Sequence, residues 1–341
     1  MRSKQILPGA LLTLLALAIV YGVGTTFVSV ELERLVERVI TPRLASSPGV
    51  DAMSREIFTG IDLYMASSRV RVVGYTCFAL ALGLAAIGLL VRKQVLARLG
   101  SVGFILPIYA YFLLHMSFLA GLSVLSSLWS PFWGDLVRFG DIAYLPYMVV
   151  VYPASLLGFD IRTAVTGVAT SVGLLIFVLG VLAWLYARLQ GKGTADFWIY
   201  RFTRHPQYLG WIIWSYGLML QVALRRDTPL RQNNPGASLP WAISTLIIVC
   251  VALSEESQMQ RAQGETYDSY RHRAPFMLPL PGFLNTLFAA PLHAVLGKDQ
   301  PKTGWELLLT FVVYGALVAA LSLPFVVFAW PNGGSWVTWP F

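Results

Sequence analysis

From Thr163 to Arg188 the chain reads TAVTGVATSVGLLIFVLGVLAWLYAR, with no charge before its last residue. A helix needs about 20 apolar residues to cross the hydrocarbon core of a bilayer, and its backbone polar groups must be satisfied within the segment. As a helix, this run meets both conditions. Comparable runs lie at about Ile6–Val30, Val70–Val91, Val102–Leu128, Tyr208–Leu224, Trp241–Ser254 and Trp305–Ala329. A further apolar segment, Ile142–Gly158, carries Pro146 and Pro153. The expected fold is therefore all-α: a polytopic transmembrane helical bundle with about 7–8 membrane segments.

Composition agrees. Of 341 residues, 56% are hydrophobic and 12% charged, where a soluble domain carries about 25% charged residues. Mean hydropathy is +0.64. These values exclude a soluble globular domain, a disordered chain and a disulfide-stapled secreted domain. Cys77 and Cys250 both lie in apolar runs, so they form neither a redox framework nor a zinc spacing. Four scattered His without paired carboxylates argue against a metal site. The excess of 25 Lys+Arg over 17 Asp+Glu suits an acidic leaflet or the cytoplasm rather than nucleic acid.

Arg2 and Lys4 precede the first apolar run, which is too long for a signal core and is read as an uncleaved first helix. Residues 31–69 are the longest polar stretch. Leu32, Leu35, Val36 and Val39 share one helical face there, as in an interfacial connector helix. Arg92, Lys93 and Arg98 mark one loop as cytoplasmic, and Arg188, Lys192, Arg201 and Arg204 mark another. Three apolar segments between two loops on one side give the wrong parity. The two-proline segment 142–158 is the one expected not to cross fully. Three regions follow: N-terminal transmembrane and interfacial helices over 1–160, a core over 161–282, and an extension with one transmembrane helix over 283–341.

Two polar clusters flank a predicted helical hairpin, which brings them to one membrane face. The first runs from Tyr200 through Arg204, His205, Pro206, Gln207 and Tyr208 to Gly210. Pro206 suits the first turn of a helix, where its missing N–H is an orphan in any case. His205, preceding proline, is held extended. The free N–H groups of that turn, with the helix dipole, favour an anionic group. Plain anchoring of the helix end to headgroups is the alternative. The second cluster runs from Glu255-Glu256 through Gly264, Glu265, Tyr267, Tyr270 and Arg271 to Arg273. Adjacent carboxylates repel, so a cationic partner is expected. Gly264 reads as a helix C-cap, and Tyr267 and Tyr270 share a face. A solvated juxtamembrane helix is the alternative here.

Tyr-x-x-x-Arg-His-Pro-x-Tyr-x-Gly-Trp, from Tyr200 to Trp211, with Trp214, Ser215 and Gly217 beyond it, resembles the isoprenylcysteine carboxyl methyltransferase family. The second block resembles the same family through Glu255-Glu256, Gly264-Glu265, Tyr267, Tyr270, Arg271, Arg273 and Pro275. The resemblance covers about residues 170–282. It implies an integral-membrane methyltransferase that uses S-adenosyl-L-methionine without a Rossmann sheet. Its pocket would lie at the cytoplasmic ends of the core helices, and a lipid-like substrate would enter from the bilayer. The implied cofactor contacts are Lys192, Gly193, Thr194, Ala195, Tyr200, His205, Pro206, Gln207, Tyr208 and Glu255. In that reading His205 and backbone N–H groups hold the carboxylate of the cofactor, Glu255 its ammonium, and tyrosine faces its sulfonium. The catalytic residues are left unassigned, since an in-line methyl transfer requires no metal and no nucleophilic residue. Arg204, Glu256 and Tyr267 are the candidates for supporting it, the last two as bases if the acceptor is an amine.

The chain departs from the family in places. Trp198 stands where the family has glycine two residues before the first Tyr, and Gln263 replaces an aromatic before Gly264. Val251 stands one turn before the glutamate pair, where the prenylcysteine enzymes place a substrate-binding arginine. An apolar residue there predicts a neutral or cationic acceptor. The loop 225–240 with Arg225, Arg226 and Arg231 is long for the family. His115 reads as a helix–helix hydrogen bond, and His272 and His293 as interfacial. The expected partners are membrane lipids or a lipid-like substrate, with no nucleic acid and no metal. Two competing classes are an NADPH-dependent sterol-type reductase on the same helical core, and a transporter or scaffold without catalysis.

Overall fold

The computed structural model describes residues 18, 68–114, 139–191, 195–224, 238–298 and 300–329. Expectations at Ile6–Val30, 31–67, His115, the end of the 102–128 run, Lys192, Gly193, Thr194 and Arg225, Arg226 and Arg231 lie outside them. Among the described residues there are nine helices and no strand. They are α1 (Ser68–Leu90), α2 (Gln94–Leu114), α3 (Leu145–Leu156), α4 (Arg162–Leu189), α5 (Pro206–Leu224), α6 (Ser238–Gln263), α7 (Glu265–Arg273), α8 (Gly282–Leu296) and α9 (Gly304–Ala329). Among the described residues, four helices are long and apolar enough to cross a membrane: α1, α4, α6 and the Gly304–Phe325 part of α9.

Two boundaries differ from expectation. α2 starts at Gln94, eight positions before the apolar run begins at Val102. α6 continues to Gln263 instead of ending near Ser254, so the glutamate pair sits inside a helix. In both cases polar residues on a face turned toward a neighbour extend the helix beyond its apolar stretch.

α4 and α5 form the closest hairpin, and small residues explain it. A Cβ built on Gly173 would fall 2.2 Å from the backbone nitrogen of Trp214, and one on Gly210 the same 2.2 Å from that of Phe177. One heptad further along each helix, Gly180 and Gly217 meet Gln207 and Thr170 in the same manner. The two backbones thus approach through missing side chains, the usual device where lipid offers no hydrophobic driving force between helices. Gly210, which could have admitted either a helix or a ligand, admits α4. Deeper in the bundle Gln221 Nε2 donates to Thr170 Oγ1 at 3.0 Å. The core itself gathers Leu89, Ile105, Tyr147, Leu218, Met219, Leu220, Ile247 and Leu307 from six of the helices.

The segment of two prolines does not extend far. α3 has 12 residues, about 18 Å at 1.5 Å per residue, against a hydrocarbon core of about 30 Å. Before it, Ser238 at the start of α6 donates to Asp141 at 2.8 Å, and Ile142 N donates to Ser322 Oγ at 3.1 Å. After it, Arg162 opens α4 and pairs with Asp160 at 2.6 Å. The start of α4 lies beside the end of α5, where Gly217 meets Thr170, so both flanks sit at the end of the bundle where α6 begins. The opposite end gathers the α1–α2 turn, the α4–α5 connection and everything from the end of α6 to the start of α9. Arg92 joins them there, donating to Ser257 Oγ at 2.8 Å and to the Lys302 carbonyl at 3.1 Å.

Candidate functional site

At that basic end a cavity of about 610 Å³ opens between α2, α4, α5, α6 and α7, within the range of small-molecule sites. Its walls are built locally as follows. Pro206 begins α5, and the backbone before it runs through a short 3-10 turn, Trp198–Arg201. Tyr200 of that turn and Ala195 ahead of it pack onto Ala183 and Ala187 of α4. On the other side α6 meets α7 at Gly264, whose φ of +53° and ψ of −128° only glycine adopts without strain. The bend turns Tyr267 and Tyr270 inward, with ring centroids 6.0 Å apart, and both are buried. Gly264 thus serves as the link between two helices as well as the end of one. Tyr270 closes the circuit by donating to the Tyr200 carbonyl at 2.8 Å.

The adjacent glutamates have separate partners. Glu256 is 2% exposed and receives Arg204 Nε at 2.5 Å and Nη2 at 3.0 Å, a two-pronged pair. His205 Nε2 lies 3.2 Å from the same carboxylate, and the Tyr267 hydroxyl donates to it at 3.3 Å. Arg204 Nη1 donates to the carbonyls of Arg271 and Ala274, both at 2.8 Å, and the Arg204 N–H to that of Pro275 at 3.0 Å. A buried charge pair is tolerable only when its remaining donors are satisfied. Here they are, and the pair ties the start of α5 to α6 and the end of α7.

Glu255 faces the cavity with its side chain 24% exposed. Tyr208 donates to its Oε1 at 2.5 Å, and Arg98 Nη2 is bonded to the same oxygen. Arg98 also lies over the Tyr208 ring, 5.5 Å from its centroid. Gln94, one turn before Arg98, meets Gln258, one turn after Glu255, at 3.3 Å. Arg98 was legible in the sequence only as a topology marker. Nothing in the motif region points to it, because it comes from a helix some 100 residues upstream of the first block; the signal available was its place one turn after Gln94 on a helix end. Val251, by contrast, is 1% exposed in the core. A site without arginine at 251 still has a guanidinium beside its glutamate.

The remaining predicted positions sort as follows. Ala195, Tyr200, Arg204, His205, Gln207, Tyr208, Glu255, Tyr267 and Tyr270 all line the cavity. Pro206 is buried behind it as the helix start. Gln207 Nε2 donates to the Gly180 carbonyl at 3.4 Å. His205 stacks on Tyr208 with Nδ1 3.8 Å from Glu255, so both of its ring nitrogens face carboxylates of the protein. That arrangement differs from the expectation that His205 faces a carboxylate of a ligand. Burial raises the Tyr200, Tyr267 and Tyr270 phenols well above their ordinary range, with Glu256 adding to the effect at Tyr267. Tyr267 keeps its proton and acts as a donor to Glu256. Among the described residues no group of His, Cys, Asp and Glu is arranged to hold a metal.

Comparison with known proteins adds one relationship. Over 100 residues, the chain is 30% identical to methanethiol S-methyltransferase of Crocosphaera subtropica. Over that stretch it resembles a methyltransferase. The aligned part is 28% of this chain and 32% of the relative, so the chain spans about a third of the length of the curated protein it matches. No family model matches the chain, and no solved structure matches it.

Proposed function

We propose that this protein is an integral-membrane, S-adenosyl-L-methionine-dependent methyltransferase acting on a lipid-soluble or lipid-like acceptor. The observation that carries the reading is a cavity-facing carboxylate, Glu255, set among the aromatic residues Tyr200, Tyr208, Tyr267 and Tyr270 at the basic end of an apolar bundle. The similarity to a methyltransferase supports the same class. The donor set suits the cofactor. Glu255 would pair with its ammonium, and the tyrosine faces suit a sulfonium through cation–π attraction. Lys192, Gly193 and Thr194 are further proposed cofactor contacts, on the resemblance alone. When bound, the cofactor supplies a methyl group activated by its positive sulfur. The protein contributes position and dryness. Arg204 and Glu256 hold α5, α6 and α7 in register, and Tyr267 stays protonated against Glu256.

The acceptor would reach the cavity through the α4 wall. Trp184 of α4 lines the cavity and is 41% exposed, which offers an apolar surface to a molecule coming from the bilayer. A carboxylate oxygen, an amine nitrogen or a thiol is compatible with the site. The full bundle of about 7–8 segments would place the cavity on the cytoplasmic face, because the basic residues Arg92, Lys93, Arg98, Arg201 and Arg204 gather at that end.

The test is to incubate purified protein with methyl-labelled S-adenosyl-L-methionine and a total lipid extract, then fractionate. Label in a lipid fraction is expected. No transferred label, together with nicotinamide cofactor retained on purification, would favour the reductase class instead.

A further inference from the structure

The Arg98–Glu255 pair sits on the cavity wall and differs from the Arg204–Glu256 pair beside it. Arg204 is 8% exposed and anchored by two carbonyls and a two-pronged carboxylate. Arg98 is 43% exposed; its other side-chain hydrogen bonds are to the Gln94 Oε1 atom at 3.3 Å and to the Tyr208 hydroxyl at 2.5 Å. One pair is built into the fold, and the other can open. An ammonium arriving at Glu255 would leave the Arg98 guanidinium without its carboxylate in a partly dry cavity. An α-amino-acid zwitterion avoids that cost, since its carboxylate can take the guanidinium while its ammonium takes Glu255. Guanidinium is well suited to this exchange, presenting several donors to a carboxylate from a flexible stem. His205 is less suited to that role, because its Nε2 is engaged by Glu256 at 3.2 Å and its Nδ1 lies toward Glu255 at 3.8 Å.

We propose that Arg98 and Glu255 form a clamp for an amino-acid zwitterion, with the ligand inserting into the ion pair: its carboxylate to Arg98 and its ammonium to Glu255. This rests on the reading of the cavity as the S-adenosyl-L-methionine site. Consequently the cofactor site is incomplete without α2, and the helices ahead of the methyltransferase-like core contribute directly to binding. The clamp recognises the amino-acid end of the ligand and is indifferent to the methyl group.

The experiment is calorimetric titration of the full-length protein with three ligands: S-adenosylhomocysteine, its decarboxylated analogue, and 5′-methylthioadenosine, which lacks the whole amino-acid end. Wild type, Arg98→Gln and the charge-preserving Arg98→Lys are compared. Arg98→Gln is expected to bind S-adenosylhomocysteine about five- to thirtyfold more weakly, to bind 5′-methylthioadenosine as wild type does, and to bind the decarboxylated analogue at least as tightly as wild type, since its ammonium no longer displaces a guanidinium from Glu255. Arg98→Lys should fall between, and it carries the same comparison if Arg98→Gln is not recovered folded. Equal weakening of all three ligands, or tighter S-adenosylhomocysteine binding by Arg98→Gln, would overturn the clamp and leave the methyltransferase reading standing. Absence of S-adenosylhomocysteine binding by wild type would overturn both.

Discussion

Glu255 and Glu256 are neighbours on α6, yet Arg204 holds Glu256 at 2.5 and 3.0 Å behind the cavity wall while Glu255 turns into the cavity toward Arg98 and Tyr208. One glutamate is part of the scaffold and the other is available to a ligand. Glu256→Gln should therefore damage the fold. Unpairing a buried ion pair typically costs about 3–5 kcal/mol, so the variant should lose its thermal unfolding transition in detergent at temperatures where Glu255→Gln still shows one. Equal midpoints for the two variants would contradict this division.

Trp198 carries the second prediction. It adopts φ +51°, a region that favours glycine, and it stacks on Tyr186 with ring centroids 5.7 Å apart and planes 20° from parallel. The backbone thus has the conformation that explains the glycine of the resembling family, and the stacked ring compensates for its absence here. Trp198→Gly should be more stable than Trp198→Ala by about 1 kcal/mol, the reverse of the usual order of these residues. Thermal midpoints of the two variants decide it, and an alanine variant at least as stable would show that the backbone is not held there.

The α4–α5 contact gives a third. Gly173→Ala and Gly210→Ala each place a methyl 2.2 Å from a backbone nitrogen, whereas a methyl at Gly83 on α1 has nothing within 4 Å. The first two should destabilise by roughly 1–3 kcal/mol, and Gly83→Ala should be neutral or slightly stabilising. Retained stability in Gly173→Ala would mean the hairpin is looser than described.

Lys93 and Lys298 should lie on the same membrane side as Arg204. Arg92 bonds to Ser257 and to the Lys302 carbonyl, which puts the α1–α2 turn and the start of α9 at the cavity end. Position 201 stands in for Arg204, whose side chain is 8% exposed. Single cysteines at 93, 201 and 298, all exposed positions, should respond alike to an impermeant thiol reagent when placed in a cysteine-free background in intact cells. Opposite labelling of any pair would contradict the arrangement.

Much of this was legible from hydropathy. The runs that became α1, α4 and α9 were placed to within two residues, since length and apolarity suffice when lipid is the solvent. The end of α6 was not, because its last two turns are polar and are held by tertiary partners. The site was half legible. Local motifs single out Tyr200, His205, Tyr208, Glu255, Tyr267 and Tyr270, and all of them line one cavity. The place of Arg98 on the cavity wall was not legible, because it depends on how α2 packs against α6. Its effect is to put a charge beside Glu255 that the apolar residue at Val251 had appeared to exclude.

The central claim is that Glu255 anchors S-adenosyl-L-methionine in this cavity. Calorimetric titration of the cofactor into wild type and Glu255→Gln tests it most directly. Removing one charge-assisted hydrogen bond is worth roughly 1.5–3 kcal/mol, so wild type should bind and Glu255→Gln should bind about 10- to 150-fold more weakly with its fold intact. Equal affinity for the two proteins, or no binding by wild type, would contradict the account.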